Sequence, residues 1–176
     1  MEPLVYLLDI IKLIIAGLAV FLIGWFLIKE YLDSRYNSKL IDLKKSAQAQ
    51  TLPLRLQAYE RMVIFLERLN PTNMLVRLHV SDSSVRELQH LVLSDIRAEY
   101  QHNIAQQLYV STEAWQLLKQ VKEDTISLMN NAARSLPPDA PSVELSKVVL
   151  THLSSLEENP YDTAVRKIKG ELYHLF

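Results

Sequence analysis

Leu13 to Ile28, LIIAGLAVFLIGWFLI, carries no charge over 16 residues. As a helix it covers about 24 Å, slightly short of a bilayer core of about 30 Å. The flanks make up the difference. Leu4 to Ile11 is apolar except for Asp9, and Asp9 and Lys12 are three apart, so they can pair on one helix face. Lys12 and Lys29 can reach back to the two interfaces, and Trp25 stands near the far end, where amphipathic rings settle. The spacing therefore predicts a transmembrane anchor over residues 1–29. Two other readings compete. A buried core helix is one, but a helical domain of the remaining size rarely buries so unbroken a run. A cleaved signal peptide is the other. Its leading segment should be basic, whereas Glu2 and Asp9 oppose Lys12 here, and Lys29, Glu30 and Tyr31 follow the run instead of small residues. An uncleaved anchor is expected.

Orientation follows from the flanking cations. The N-terminal side offers Lys12, and the C-terminal side offers Lys29, Arg35, Lys39, Lys44 and Lys45. The positive-inside rule then puts the C-terminal side in the cytoplasm and the N-terminus outside. Gly17 and Gly24 lie seven apart with Ala16 nearby, which gives one smooth face suited to close helix packing and to a homo-oligomer.

Beyond the anchor the composition points to helices throughout. Glycine occurs only at 17, 24 and 170, so the clustered glycines of phosphate-binding loops are absent. There is no cysteine, which excludes disulfides and thiolate metal sites. The expected fold class is all-α: the anchor continues into a juxtamembrane stalk over 30–51, and an antiparallel helical bundle occupies 52–176. On the stalk, Tyr36, Leu40, Leu43 and Ala47 repeat at four, three and four residues, a short heptad seam. Thr51 is expected to cap a new helix with Pro53 in its first turn, running to Leu69 with Val63, Ile64, Phe65 and Leu66 as its core stripe. A short helix over PTNMLVRL is expected next. Ser81 or Asp82 should then cap a long helix to about Tyr109, and Ser111 should cap Thr112 to Arg134. Leu136 to Ser142, LPPDAPS, is the clearest loop. A helix from Ser142 to Glu157 and one after Asn159-Pro160 complete the chain.

The anchor, the block RLQAYERMVIFLERLNP and the block IRAEYQHNIAQQLYVS followed by a tryptophan together resemble an uncharacterised family of small membrane-anchored helical proteins from Bacteroidota. The resemblance covers most of residues 1 to 130 and leaves the last two helices without support. It implies a bacterial inner membrane. It carries no activity and no functional residues.

A polar seam is the main candidate for a site. Tyr100, Asn103 and Gln107 follow Ile96 at four, three and four residues, so they share one helix face that should otherwise be apolar. A buried amide without a partner costs about 1–3 kcal/mol. Such residues either set the register between helices, facing Glu60, Arg61, Glu67 or Arg68, or form a docking face for another protein. The candidate interaction residues are therefore Glu60, Arg61, Glu67, Arg68, Tyr100, Asn103 and Gln107. The alternative is metal. E-x-x-H occurs at Glu87/His90, Glu99/His102 and Glu171/His174, the spacing of ferritin-like di-metal bundles. The first two pairs are twelve residues apart on one helix, about 18 Å and about 120° of rotation, so they cannot share a centre. An alternative set would be Glu99, His102, Glu171 and His174.

No catalytic triad context, nucleotide motif or cofactor set is present, and none is expected. Aromatic residues do not interleave with a basic stripe, so no nucleic-acid partner is expected. The expected role is non-enzymatic: an inner-membrane scaffold or adaptor that binds another membrane or membrane-associated protein through its bundle. Its partners would be that protein, the lipid bilayer and, through the anchor, further copies of itself.

Overall fold

The computed structural model describes the backbone of residues 2–173 and the side chains of residues 10–173 other than Asp33 and Asn37. The elements are α1 (Glu2–Leu69), α2 (Pro71–Arg77), α3 (Val85–Asn103), α4 (Thr112–Arg134), α5 (Ser142–Ser154) and α6 (Pro160–Tyr173), with a 3-10 turn over Ile104–Leu108. The fold is all-α. Among the described residues the sole β-type pairing is an isolated bridge between Ser84 and Pro141. The chain divides into two compact units, Met1–Thr51 and Leu52–Phe176.

The first unit is helical throughout its described backbone. It is long and apolar enough to cross a membrane. From Ile10 to Ile28 the large apolar side chains are between 43% and 79% exposed among the described residues. Asp9, expected to pair with Lys12, lies outside the described side chains.

The expected helix start at Thr51 does not form. α1 runs through Pro53. The Thr51 hydroxyl donates backwards, to the carbonyls of Ala47 (3.1 Å) and Gln48 (3.3 Å), instead of capping forwards. Proline removes one helical N–H, but strong helix formers on both sides, with no glycine near, keep the remaining ladder intact.

In the second unit, residues 52–69 of α1 bury Ala58, Tyr59, Met62, Phe65, Leu66 and Leu69, a stripe at three- and four-residue spacing. The expected run of four consecutive core residues is corrected accordingly: Val63 is half-buried and Ile64 is 46% exposed, because successive helical positions turn by about 100°. The same core holds Val85, Leu88, Val92 and Ile96 of α3, Trp115, Leu118, Val121 and Met129 of α4, Leu145 and Val149 of α5, and Tyr161, Val165 and Ile168 of α6, with α3 packed on α4 and α5, and α4 on α6.

Local caps set most of the helix ends. Asn70 Oδ1 accepts from Thr72 N (3.1 Å) at the start of α2. Ser111 Oγ accepts from Ala114 N (2.9 Å) at the start of α4, and Asn159 Oδ1 accepts from Tyr161 N (2.9 Å) at the start of α6. At α3 the cap is Ser84, not Ser81 or Asp82. Asp82 sits at φ 60 within the turn, a left-handed backbone that no N-cap uses. Ser84 has the extended backbone a cap needs and forms a reciprocal capping box with Glu87. Ser142 is the first residue of α5 and not its cap, a position that Pro141 fills without a side-chain hydrogen bond; the buried Ser142 hydroxyl lies 2.9 Å from Ser83 Oγ. α5 ends at Ser154, short of the expected Glu157, where Ser155 N turns back to the carbonyls of Thr151 and His152.

Candidate functional site

α3 presents Asp95, Glu99 and His102 at four- and three-residue spacing, which places them on one face. Three arginines meet them in a row. Arg77 of α2 makes two hydrogen bonds of 2.9 Å to the Asp95 carboxylate and a third to the carbonyl of Arg68 (3.2 Å). Arg68 of α1 pairs with Glu99 at 2.6 Å. Arg61, seven residues earlier, places Nη1 at 3.2 Å from His102 Nε2. A guanidinium has donors only, so the imidazole nitrogen accepts. The hydrogen bonds that Arg77 donates to Asp95 lead the causes that raise the Arg77 pKa, opposed by partial burial. Each pair is partly exposed and contributes about 0–1 kcal/mol. Together they fix the register of α3 against residues 61–77.

Behind this row lies the Tyr100 ring, half-buried. Phe65 meets it edge-on with centroids 6.4 Å apart, Trp115 lies at 5.8 Å, and Lys122 Nζ stands 4.2 Å from its centroid. This is a cation over an aromatic cluster drawn from α1, α3 and α4. Asn103, 5% exposed, closes the seam. Its Nδ2 donates to the carbonyl of Glu99 (2.8 Å), one turn back on its own helix, and its Oδ1 is buried with no protein partner. The expectation that its amide meets Glu60, Arg61, Glu67 or Arg68 is therefore corrected. Gln107 is exposed and off the seam. Beyond Asn103 the backbone winds as a 3-10 turn, which adds about 20° per residue and rotates Gln107 by about 80° from its α-helical position.

The two remaining seam acids are peripheral. Glu67 accepts from Asn73 Nδ2 through its carbonyl (3.0 Å) and its carboxylate (3.4 Å), which ties α1 to α2. Glu60 is exposed, on the rim of a groove between α1 and α6 lined by Leu56, Val63, Ile64, Ile168 and Leu172, with Lys169 opposite.

The E-x-x-H pairs go to separate places. Glu87 is held by the capping box: Ser84 N–H and then Ser84 Oγ lower its pKa. Glu99 and His102 face arginines, as above. Glu171 accepts from Tyr59 OH (3.2 Å) and from Ser111 Oγ. Ser111 N also donates to Tyr59 OH (3.3 Å). This carboxylate thus joins α6 to α1 and to the N-terminus of α4, and the Ser111 hydroxyl is used twice, as helix cap and as donor. His174 lies outside the described residues. Among the described residues no three His, Asp or Glu side chains converge.

Sequence reasoning found Arg61, Arg68, Glu99 and His102 but missed Asp95, Arg77 and the Tyr59–Ser111–Glu171 cluster. The first pair had a usable signal, since Asp95 precedes Glu99 by one turn. The cluster had none, because its members are distant in the chain.

A family model matches residues 5–175. The match extends beyond residue 130, where the resemblance ended, and includes α5 and α6. No curated protein and no solved structure matches the chain. The chain belongs to the family of unknown function DUF7935.

Proposed function

We propose that this protein is a single-pass inner-membrane adaptor of a bacterium, probed by Bacteroidota-like sequence blocks, whose helical domain holds another membrane or membrane-associated protein at the bilayer. The N-terminus lies outside and residues 52–176 lie in the cytoplasm. The observation that carries this reading is the uncharged segment Leu13–Ile28, whose large apolar side chains are all exposed along one helix. Lipid is the solvent that makes such a helix stable. The excess of Lys and Arg after the segment supports the orientation.

The arginine row and the aromatic cluster act inside the domain as register devices. Partner contact then falls to what the domain leaves outside: the Glu60–Ile64 side of the α1–α6 groove and the exposed turn around Gln107. A membrane anchor raises the effective concentration of that surface for other membrane proteins.

Topology tests the reading. A reporter that fluoresces only in the cytoplasm should be active after Phe176 and silent before Met1, and the protein should resist extraction by alkaline carbonate. The opposite reporter pattern, or release by carbonate, would refute it.

A further inference from the structure

The stalk helix leaves a face uncovered. Tyr36 is 66% exposed, Leu40 38% and Leu43 67%, with Ala47 also exposed. With Leu40 and Ala47 at a and Tyr36 and Leu43 at d, Lys39 is a g position and Lys44 the e position five residues on. Two copies anchored in one membrane, an arrangement that rests on the function proposed above, must run parallel. A parallel pair brings g of one strand against that e of the other. Lys39 would then meet Lys44 of the second copy, twice by symmetry, and like charges at these positions oppose pairing. Lipid is a poor occupant as well. The helix has no glycine after Gly24 and stays helical through the stalk. At about 1.5 Å per residue the seam lies about 12–28 Å beyond Ile28, past the headgroup layer.

We propose that the Tyr36–Ala47 seam is one strand of a heteromeric coiled coil, whose other strand belongs to a different protein and carries acidic residues flanking its apolar stripe. The lysines select that partner and reject self-pairing. Two heptads are too short to hold on their own, so the membrane anchor supplies the proximity that makes the pairing stable.

The test uses full-length chains in neutral phosphatidylcholine vesicles. The probe for an acid-flanked strand is the chain itself with Lys39→Glu and Lys44→Glu. Energy transfer between donor- and acceptor-labelled chains is measured for wild type with wild type, variant with variant, and wild type with variant. Contributions from the anchor's glycine face are removed by repeating each pairing with Leu40→Asp and Leu43→Asp. The mixed pair should exceed each like pair by about threefold or more, and the excess should fall in about 0.5 M salt. Wild-type chains pairing with each other as strongly as with the variant would mean a second copy occupies the seam, overturning the proposal. Equal transfer in all pairings, with a Leu43→Cys label shielded only when phosphatidylglycerol is added, would assign the seam to lipid and overturn it too. Carbonate release of the chain from the vesicles would refute the membrane reading together with this inference. Stable insertion without a mixed-pair preference refutes this inference alone.

Discussion

Thr125 and Tyr161 form a buried pair whose two halves should differ in what their loss costs. Thr125 Oγ1 lies 2.6 Å from the carbonyl of Val121 and 2.8 Å from Tyr161 OH, and both residues are buried. The threonine hydroxyl has one proton. The carbonyl can only accept, so that proton goes to Val121, and Tyr161 OH must donate to Thr125. Tyr161→Phe then removes one hydrogen bond and orphans nothing, at a cost of about 0.5–1.5 kcal/mol. Thr125→Val keeps the side-chain shape but leaves the Tyr161 hydroxyl buried without an acceptor, at a cost of about 1–3 kcal/mol beyond the lost bond. The double variant removes both polar groups and should be more stable than Thr125→Val alone, since deleting both partners of a buried bond is close to neutral. The assay is urea unfolding of the full chain in detergent with Trp25→Phe, so that Trp115, packed in the α4 core, reports the domain. A double-mutant cycle with coupling below about 0.5 kcal/mol, or a Tyr161→Phe loss equal to that of Thr125→Val, would refute the donor assignment.

The same pair has an alkaline signature. Burial, the leading cause, pushes the Tyr161 phenol up to about 12 from its ordinary value of 10.0. Its stabilising effect is complete below pH 10 and declines as pH rises towards 12, because only the unfolded chain ionises in that window. Absorbance titration should show one late tyrosine that disappears in Tyr161→Phe. Ser84→Ala removes the α3 cap and should destabilise the domain by about 1 kcal/mol, measured by thermal unfolding. Its acid side should also change. The Glu87 pKa is lowered by Ser84, so that contribution is present above the ordinary carboxylate range and lost as pH falls through the lowered value. The leading cause, the Ser84 backbone N–H, survives in Ser84→Ala, so only the part supplied by the hydroxyl is lost and stability at acid pH should flatten in part. Asn103→Leu trades a bond worth about 0.5–1.5 kcal/mol for relief of an orphaned acceptor costing about 1–3 kcal/mol, so stability should hold or rise. A loss above about 1.5 kcal/mol would mean that Oδ1 has a partner.

The parts of this fold that were legible in the sequence are those decided within one helical turn. Ser111 and Asn159-Pro160 announce the starts of α4 and α6, and Asn70-Pro71 ends α1. The all-α class followed from the scarcity of glycine and the abundance of helix formers. Pro53 misled because a proline in a helix interior costs a hydrogen bond and a clash with the carbonyl four residues back, about 3 kcal/mol, yet the helix continues through it where helix formers flank it and no glycine favours a break. The cap at Ser84 was missed because Ser81, Asp82 and Ser84 all have capping side chains, and only the backbone at Asp82 decides among them. In the site, Arg61 and Arg68 were among the residues expected to face the polar seam, and they do meet α3, through His102 and Glu99. Gln107 was misplaced because α and 3-10 winding look alike in sequence yet rotate side chains differently. Glu171 reads in the sequence as a candidate metal ligand, but its role as acceptor for Tyr59 and Ser111 could not be foreseen, since they lie 112 and 60 positions away in the chain.

Photocrosslinking in native membranes tests the adaptor reading most directly. A photoreactive residue is placed at Ile64, beside the α1–α6 groove, or at Gln107, on the exposed turn, with the buried Leu118 as control. The account predicts a discrete crosslink from Ile64 or Gln107 to one inner-membrane or membrane-associated protein, and none from Leu118. Absence of any crosslink from both exposed positions, together with stoichiometric bound metal or substrate turnover by the purified protein, would contradict it.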